Sequence, residues 1–365
     1  MTVDAPHASE SRIAYEDTSW NSLVPSEEIQ QFASAAREHF ASIFSPADIR
    51  NAFSGAALGG SLWAEIVEQG YTAVGLREEL DGDGTLSDVV AILEVAGGSL
   101  VPEPLLASVA AVQTLVAANA ATEGMSEHPA SIVVLGPEES AEGRVSVFDG
   151  RFSTRLAVLR DRGSEVELDW FELTNATASL ESRAAVDPSR AYASVDLERA
   201  NRLVHERLPI SIDQALAAAR VCVSADLVGV ASASLDLSLG HVLARQQFGR
   251  PLGAFQALKH MLADVYVDIE RARSLTFGAA AAVTKDPRGE SARHLSMLAK
   301  ATSAEIAIRA AAIRVQLMGA MGLTFEADAH LYVRRAQQTA RFLGNPADLY
   351  VTVAGDRLAG DARVD

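Results

Sequence analysis

The spacing of apolar residues divides this chain into a helical segment, a strand-rich segment and a second helical segment. From about Ser26 to Ala120 the spacing is helical, and Ser26 and Ser45 have the residue type and context of helix N-caps. The run that follows the Gly/Asp turn at 81–84 ends at Gly97–Gly98, a typical helix stop. We therefore predict a flexible N-terminus over residues 1–25 and an N-terminal helical domain over residues 26–128.

Between about Ser131 and Glu198 the apolar residues instead form short runs rich in β-branched side chains. Gly, Asp, Asn and Pro separate these runs, which are SIVVLG, RVSVFDG, RLAVLRD, EVELDWFEL and AYASVDLE. This pattern predicts a small β-barrel or sheet domain over residues 129–207.

Long helices are predicted from Ile212 onward. The run from Ile212 to Phe248 contains no proline, and 28 of its residues would form a helix of roughly 42 Å. A second helix carries an i, i+3, i+4 stripe made of Phe255, Leu258, Leu262, Val265 and Ile269. We predict a C-terminal four-helix bundle over residues 208–365, whose remaining apolar faces favour oligomerisation. The fold class is thus mainly α with a small β domain.

Composition excludes several classes of protein. The 31 basic and 48 acidic residues give a net charge of −17, which is unsuited to nucleic-acid binding. One cysteine, Cys222, permits neither an internal disulfide nor a Cys-based zinc site, and its apolar surroundings indicate a buried, inert thiol. We see no secretory leader and no run of 18 apolar residues, and we expect a cytoplasmic protein without a metal.

Two C-terminal motifs carry a family resemblance. The segment ARQQFGRPLGAFQALKHMLAD resembles the R-x-x-F-G-x-x-x-x-x-F-Q-x-x-x-H-x-L-A-D signature of the acyl-CoA dehydrogenases, beginning at Arg245. The segment VQLMGAMGLTFE resembles the Q-x-x-G-G-x-G-x-T-x-E segment of the same family. The Gly/Asp turn at 81–84 and the helical run after it also resemble a turn and helix of this family, although the match is weaker. The order of a helical domain, a β domain and a helical bundle is also the layout of that family.

The resemblance implies an FAD cofactor. Arg245 would bind the pyrophosphate with its guanidinium, and Phe248 would give the adenine an apolar wall. Glycine permits close approach of a ribose or phosphate to the backbone. The expected cofactor-binding residues are Arg245, Gln247, Phe248, Gln256, Gln316, Gly319 and Gly322. In the family these groups hold the ADP half of a flavin whose ring lies mainly in a neighbouring subunit, so at least a dimer is implied.

The family's catalytic base has no counterpart at either expected position. Its enzymes use a glutamate to abstract the α-proton of the thioester while the β-hydride goes to flavin. The common position falls on Leu343, and the less common one, 26 residues before Arg245, falls on Ala219. Neither side chain accepts a proton, so we assign no catalytic residue to this chain.

Two further departures accompany the missing base. Arg220 occupies the site of an arginine that in the family often steers the base, although an ordinary ion pair explains it equally well. The family segment T-E-x-x-x-G-S-D, which touches the flavin ring, is reduced here to Thr122–Glu123.

We therefore favour a base-deficient subunit of a heteromeric α2β2 acyl-CoA dehydrogenase, similar to those of actinobacterial steroid degradation. A homologous partner subunit would supply the carboxylate, the substrate would be a bulky acyl-CoA such as a steroid side-chain ester, and an electron-transfer flavoprotein would be the oxidant.

Three alternatives stay open. The first is a self-sufficient homo-oligomeric dehydrogenase whose base has moved to Glu326, Asp328 or Asp348, although each of these has a simpler structural explanation. The second is a flavin monooxygenase or desulfinase of the same fold. The third is a structural subunit without flavin. His241 and His260 lie near the first motif and are better explained as helix-surface or interface residues than as catalytic ones.

Overall fold

The computed structural model describes residues 23–54, 61–76, 78–80, 82–120, 124–137, 144–173, 180–190 and 192–361. Most of the predicted flexible N-terminus lies outside these residues, and so does Thr122–Glu123. Within them the chain is mainly helical with a small β region, which confirms the predicted fold class.

The described N-terminal residues form five helices, and local sequence explains where the first two begin. Ser26 accepts a hydrogen bond from the backbone N–H of Ile29, and Ser45 forms a reciprocal capping box with Asp48. Both predicted helix starts are therefore confirmed. The helices are α1 (Glu27–Ile43), α2 (Pro46–Phe53), α3 (Ser61–Glu68), α4 (Leu86–Gly98) and α5 (Leu105–Ala117).

Among the described residues, seven strands follow in two sheets. They are β1 (Ala130–Leu135), β2 (Arg144–Val147), β3 (Arg155–Asp161), β4 (Val166–Glu172), β5 (Glu181–Arg183), β6 (Tyr192–Asp196) and β7 (Asn201–Leu208). One sheet has the order β1-β3-β4-β7 and the other β2-β6-β5, with β1 and β3 parallel and the other pairs antiparallel.

The sequence pattern predicted five of these strands and missed β5 and β7. All three residues of β5 are exposed, and β7 lies at a sheet edge with only Leu208 fully buried. An exposed edge strand needs no alternation of apolar and polar residues, so it leaves little trace in the sequence.

Between residues 208 and 361, the C-terminal part contains six helices and one hairpin. The elements are α6 (Ile212–Ala215), α7 (Ala217–Ala244), the hairpin strands β8 (Gln246–Gln247) and β9 (Arg250–Pro251), α8 (Gln256–Lys285), α9 (Glu290–Met318), α10 (Ala329–Thr339) and α11 (Pro346–Asp361). The predicted helix from Ile212 to Phe248 is interrupted at Leu216 and stops at Ala244. It stops early because Phe248 and Gly249 take positive φ angles and close the hairpin.

Helix α7 is the centre of the molecule. It packs against α4, α5, α8 and α9, and its N-terminal half is buried on every side. The closest approach is to α4, where a Cβ on Gly97 would lie 2.1 Å from the carbonyl oxygen of Asp226. A Cβ on Gly229 would lie 1.9 Å from the carbonyl oxygen of Glu94. Glycine at these two positions therefore lets the N-terminal part contact the bundle backbone to backbone.

By length and composition alone, two helical segments would be able to cross a membrane: Ala217–Ala244 and Glu290–Leu323. The first contains buried charged side chains, Arg220 and Asp226, and both segments pack on neighbouring helices. Core helices of soluble proteins pass the same test, so this observation is weak evidence for a membrane span.

A buried ionic network joins the three parts of the chain. Arg335 on α10 donates to Asp187, which follows β5, at 2.5 Å, and the carbonyl oxygens of Leu100 and Val101 lie 3.4 Å from its guanidinium. Arg190 donates two hydrogen bonds to Asp226 on α7, at 2.6 and 2.9 Å. Two arginines thus pair with two aspartates where all three parts meet.

One carboxylate in this network has no hydrogen-bond partner among the described residues. Asp149 is fully buried in the turn after β2, and its φ is +55°. Burial raises its pKa to about 7, despite the opposing charges of Arg190 and Arg335. Burial also raises the pKa of Glu103, at the start of α5, to about 7. Both groups therefore titrate near neutral pH.

Candidate functional site

The predicted site residues lie at the two ends of α7. Ala219 is in its first turn, and Arg245 directly follows its last residue. Since an α-helix rises 1.5 Å per residue, the 26 residues between them correspond to about 39 Å. The positions predicted for the base and for the pyrophosphate contact are therefore far apart in one chain.

The Arg245 end presents an exposed hairpin. Phe248 and Gly249 form its two-residue turn, with φ angles of +53° and +76°, which fits a type I′ turn. A positive φ strains the backbone of a phenylalanine. Phe248 is nevertheless 89% exposed to solvent. Arg245 and Gln247 are also exposed, and Arg245 forms no ion pair within the described part of the chain.

The second glycine motif lies at the same end of the bundle, because α8 runs back between α7 and α9. Gly319 ends α9 with a φ of +63°, and Gln316 is exposed one turn earlier. Gly322 lies so close to α9 that a Cβ would be 2.5 Å from the carbonyl oxygen of Val315. Gln256, at the start of α8, is exposed at this end as well. All seven predicted cofactor-binding residues thus belong to one end of the bundle.

The opposite end carries a cleft of about 350 Å³ between the β sheets and the bundle. It is lined by Ile132, Val133, Val134, Ser146, Phe148, Tyr192, Ile212, Leu216, Arg220, Arg341, Phe342, Leu343 and Gly344. The rings of Phe148 and Phe342 stack with centroids 4.0 Å apart and planes inclined by 17°, and Tyr192 lies edge-on to Phe148. These three side chains therefore form an aromatic cluster that lines part of the cleft.

Arg220 stabilises one side of this cleft through hydrogen bonds to Asp213 and Leu343. Its Nη2 donates to Asp213 at 2.8 Å and its Nε donates to the carbonyl oxygen of Leu343 at 3.1 Å. Burial lowers the pKa of its guanidinium, although Asp213 opposes that shift. Of the two explanations given for Arg220, the structure shows the ion pair.

A buried lysine forms hydrogen bonds to the loop that contains Leu343, residues 340–344. Lys300 donates from Nζ to the carbonyl oxygen of Ala340 at 2.6 Å and also to that of Gly344. Burial, with a smaller contribution from the charge of Arg220, lowers the pKa of Lys300 to about 7. Nothing in the sequence motifs identified this residue, although a lysine inside an Ala-rich helix stands out in a chain with three lysines.

No Asp or Glu lines the cleft among the described residues. Ala219 is fully buried, and Leu343 stands half-buried with a φ of +57°. Of the three candidates for a relocated base, Glu326 is exposed, Asp348 is exposed in the first turn of α11, and Asp328 pairs with Arg50 at 3.0 Å. None of these three carboxylates reaches the cleft.

The remaining titratable candidates do not form a catalytic site. Cys222 is fully buried, and burial raises the pKa of its thiol, which keeps the thiol protonated. His241 lies near the end of α7, where its backbone carbonyl accepts from Arg245, and His260 is exposed on α8.

The two ends differ in how well they suit FAD. At the Arg245 end, a guanidinium without an ion pair among the described residues, an exposed aromatic ring and two glycines fit the ADP half of the cofactor. The cleft at the other end is lined by the stacked Phe148–Phe342 pair together with Arg220 and Arg341. The residues at the Arg245 end therefore fit the ADP half of FAD.

Comparison with known proteins agrees with this architecture. Residues 210–347 match the family model described as "Acyl-CoA dehydrogenase, C-terminal domain". The chain is 32% identical over 337 residues to acyl-CoA dehydrogenase IpdE2 of Mycobacterium tuberculosis, covering 90% of this chain and 96% of that protein.

Two solved structures share the fold. The ChsE4–ChsE5 complex from Mycobacterium tuberculosis is similar with a TM-score of 0.77 and 21% identity, covering 92% of this chain and 98% of the matched one. A variant described as the Tcur3481–Tcur3483 steroid ACAD gives a TM-score of 0.78 and 22% identity, with 92% and 99% coverage.

Proposed function

Because this chain belongs to the acyl-CoA dehydrogenase family of FAD-dependent oxidoreductases that act on CH–CH bonds, we propose that it is the base-deficient subunit of a heteromeric enzyme. It completes a flavin site through the Arg245 end of its bundle. A homologous partner subunit supplies the catalytic carboxylate and the flavin-ring pocket.

The separation of Arg245 from the cleft carries the shared-flavin part of this proposal. About 39 Å of α7 lies between them, which exceeds the length of an extended FAD molecule. A flavin whose ADP half lies at Arg245 must therefore have its ring outside this chain's own cleft. A neighbouring subunit is the place that remains for it.

The chemistry of the cleft supports the same division of labour. Abstraction of a thioester α-proton needs a base with a pKa near the working pH, and a carboxylate is the usual choice. The cleft contains Arg220 and Arg341 and no carboxylate among its described residues. Two arginines and an aromatic stack cannot accept that proton.

In the complete enzyme, the chain's own residues bind and orient. Arg245 would hold the pyrophosphate with bidentate hydrogen bonds, and Phe248 would cover the adenine. Gly322 keeps the neighbouring turn close to α9, and Gly319 leaves open space at its backbone, where a ribose or phosphate can approach. When bound, FAD supplies the acceptor for the β-hydride of the substrate.

For the substrate we propose a bulky acyl-CoA such as a steroid side-chain ester. The support is similarity: one structural neighbour is described as a steroid ACAD and another is a two-component complex. An electron-transfer flavoprotein is the oxidant we propose. Both assignments rest on analogy rather than on the cleft.

Co-expression tests the proposal. The chain is purified alone and together with a homologue that retains the family glutamate, and the flavin absorbance and acyl-CoA dehydrogenase activity of both samples are measured. We expect bound flavin and activity only in the co-expressed sample. Full activity of the chain alone would refute the proposal, and so would undiminished flavin occupancy in an Arg245→Gln complex.

A further inference from the structure

The hairpin after α7 places a second arginine beside Arg245. Gln246 pairs with Pro251 and Gln247 with Arg250, and the backbone N–H of Leu252 donates to the carbonyl of Arg245 at 2.9 Å. Since side chains alternate along a strand, Arg245, Gln247 and Arg250 lie on one face of the hairpin. Arg245 and Arg250 are diagonal neighbours, for which a spacing of about 7–8 Å is typical.

Arg250 is fixed by an aromatic ring rather than by an acid. Its guanidinium carbon lies 4.1 Å from the centroid of the Phe255 ring, while Phe248 meets that ring edge-on at 6.1 Å. Stacking of this kind leaves the N–H donors in the guanidinium plane available. Arg250 is exposed, and its guanidinium has no hydrogen bond or ion pair to any residue that the structure describes.

Two neighbouring arginines without an ion pair among the described residues are unusual in a chain of net charge −17. Most of its buried or half-buried arginines pair with carboxylates, such as Arg220 with Asp213 and Arg273 with Glu94. At the hairpin, two positive charges instead face solvent beside an exposed aromatic ring. A group with two adjacent negative charges and a planar apolar end complements this surface.

We propose that Arg250 is a second diphosphate-binding residue and that Phe255 positions it. In this assignment Arg245 and Arg250 each bind one phosphate of the cofactor's diphosphate. The ring of Phe255 holds the Arg250 guanidinium ready, which reduces the side-chain entropy lost on binding. The assignment rests on the proposed function, since the flavin in question is the one shared with the partner subunit.

The test compares FAD affinity in the co-purified complex for the wild type, Arg250→Gln, Arg250→Lys and Arg245→Gln. Arg357→Gln is the matched control, because Arg357 is an exposed arginine on α11 that forms no ion pair within the described part of the chain. Affinity is measured by flavin fluorescence after removal and return of FAD, and ADP and adenosine serve as competitors. Thermal unfolding of each variant reports on folding.

Loss of charge-assisted hydrogen bonds should weaken FAD binding roughly 10- to 100-fold in Arg250→Gln. In Arg250→Gln, we expect the affinity for ADP to fall by a similar factor and the affinity for adenosine to be unchanged. The FAD affinity of Arg250→Lys should lie between those of the wild type and Arg250→Gln, and that of Arg357→Gln should equal the wild-type value. Phe255→Leu should reproduce part of the Arg250→Gln loss.

Three results would overturn the assignment. Wild-type affinity in Arg250→Gln, with Arg245→Gln still weakened, removes Arg250 from the site and leaves the proposed function intact. An equal loss for adenosine and ADP would mean that the substitution disturbs the hairpin rather than a phosphate contact. Absence of FAD from the wild-type complex would instead refute the proposed function, and this assignment with it.

Discussion

The Nε atom of Arg220 donates a hydrogen bond to the main-chain carbonyl oxygen of Leu343, at 3.1 Å. This bond joins the two positions at which the family places its catalytic carboxylate, since Ala219 directly precedes Arg220. Leu343 lines the cleft, Ala219 is buried beside the cleft residue Arg220, and neither position holds a base. The arginine that steers a base in related enzymes is here part of the brace that holds the loop.

Arg220→Met should destabilise the protein by about 2–4 kcal/mol, because it leaves Asp213 and the carbonyl of Leu343 without their donor. Urea unfolding followed by circular dichroism measures the change. The matched control is Arg341→Met, since Arg341 lines the same cleft but is exposed and has no ion pair among the described residues. Equal stability of the two variants would show that the brace contributes little.

Asp149→Asn should stabilise the protein above neutral pH. A raised pKa means that the folded state binds the proton more tightly, so stability is lost as pH rises from the unfolded value near 4 to the folded value of about 7. Asparagine has the same shape, tolerates positive φ and carries no charge. We expect a gain of up to roughly 4 kcal/mol at pH 8 and little change at pH 4.

Unfolding curves at pH 4, 6 and 8 check this prediction. The charged groups around Asp149 are Arg190, Arg335, Asp187 and Glu103. Asp226→Asn is the control, because Asp226 pairs with Arg190 and its loss should destabilise the same junction at pH 8. An Asp149→Asn variant that is less stable than the wild type at pH 8 would contradict the prediction.

The Phe148–Phe342 stack should appear as coupling in a double-mutant cycle. Each single change to alanine should cost about 3–5 kcal/mol, since both rings are buried. The double variant should lose about 0.5–1.5 kcal/mol less than the sum of the singles, which is the usual contribution of an aromatic pair. Strict additivity in unfolding experiments would mean that the rings do not stabilise each other.

The two motif glycines should respond differently to alanine. At Gly322 the new methyl group would meet the carbonyl oxygen of Val315, so Gly322→Ala should cost about 1–3 kcal/mol and displace the turn. At Gly319 the space is open, and only the backbone conformation (φ +63°, ψ −139°) opposes the change, which costs about 1–3 kcal/mol. Thermal unfolding measures both costs, and crystal structures of the two variants should show a displaced turn only for Gly322→Ala; an undisplaced turn in that variant would contradict the prediction.

Local sequence predicted the elements that depend on local chemistry. Ser26 and Ser45 begin helices because each caps its own backbone, and the glycine positions of the second motif are those that the backbone geometry needs. The edge strand β7 and the early end of α7 escaped prediction, because exposure and the turn at Phe248–Gly249 override the residue pattern there.

The site divides in the same way. The sequence by itself determined that Leu343 and Ala219 cannot act as bases, since that depends on residue identity alone. Only the tertiary structure decided that Arg220 braces a loop, that Lys300 holds the same loop, and that Phe148 stacks on Phe342. The residues in contact are far apart in the sequence. Lys300 and Ala340 are 40 positions apart, Arg220 and Leu343 are 123 apart, and Phe148 and Phe342 are 194 apart. Packing of whole elements brings such residues together, and no local pattern records it.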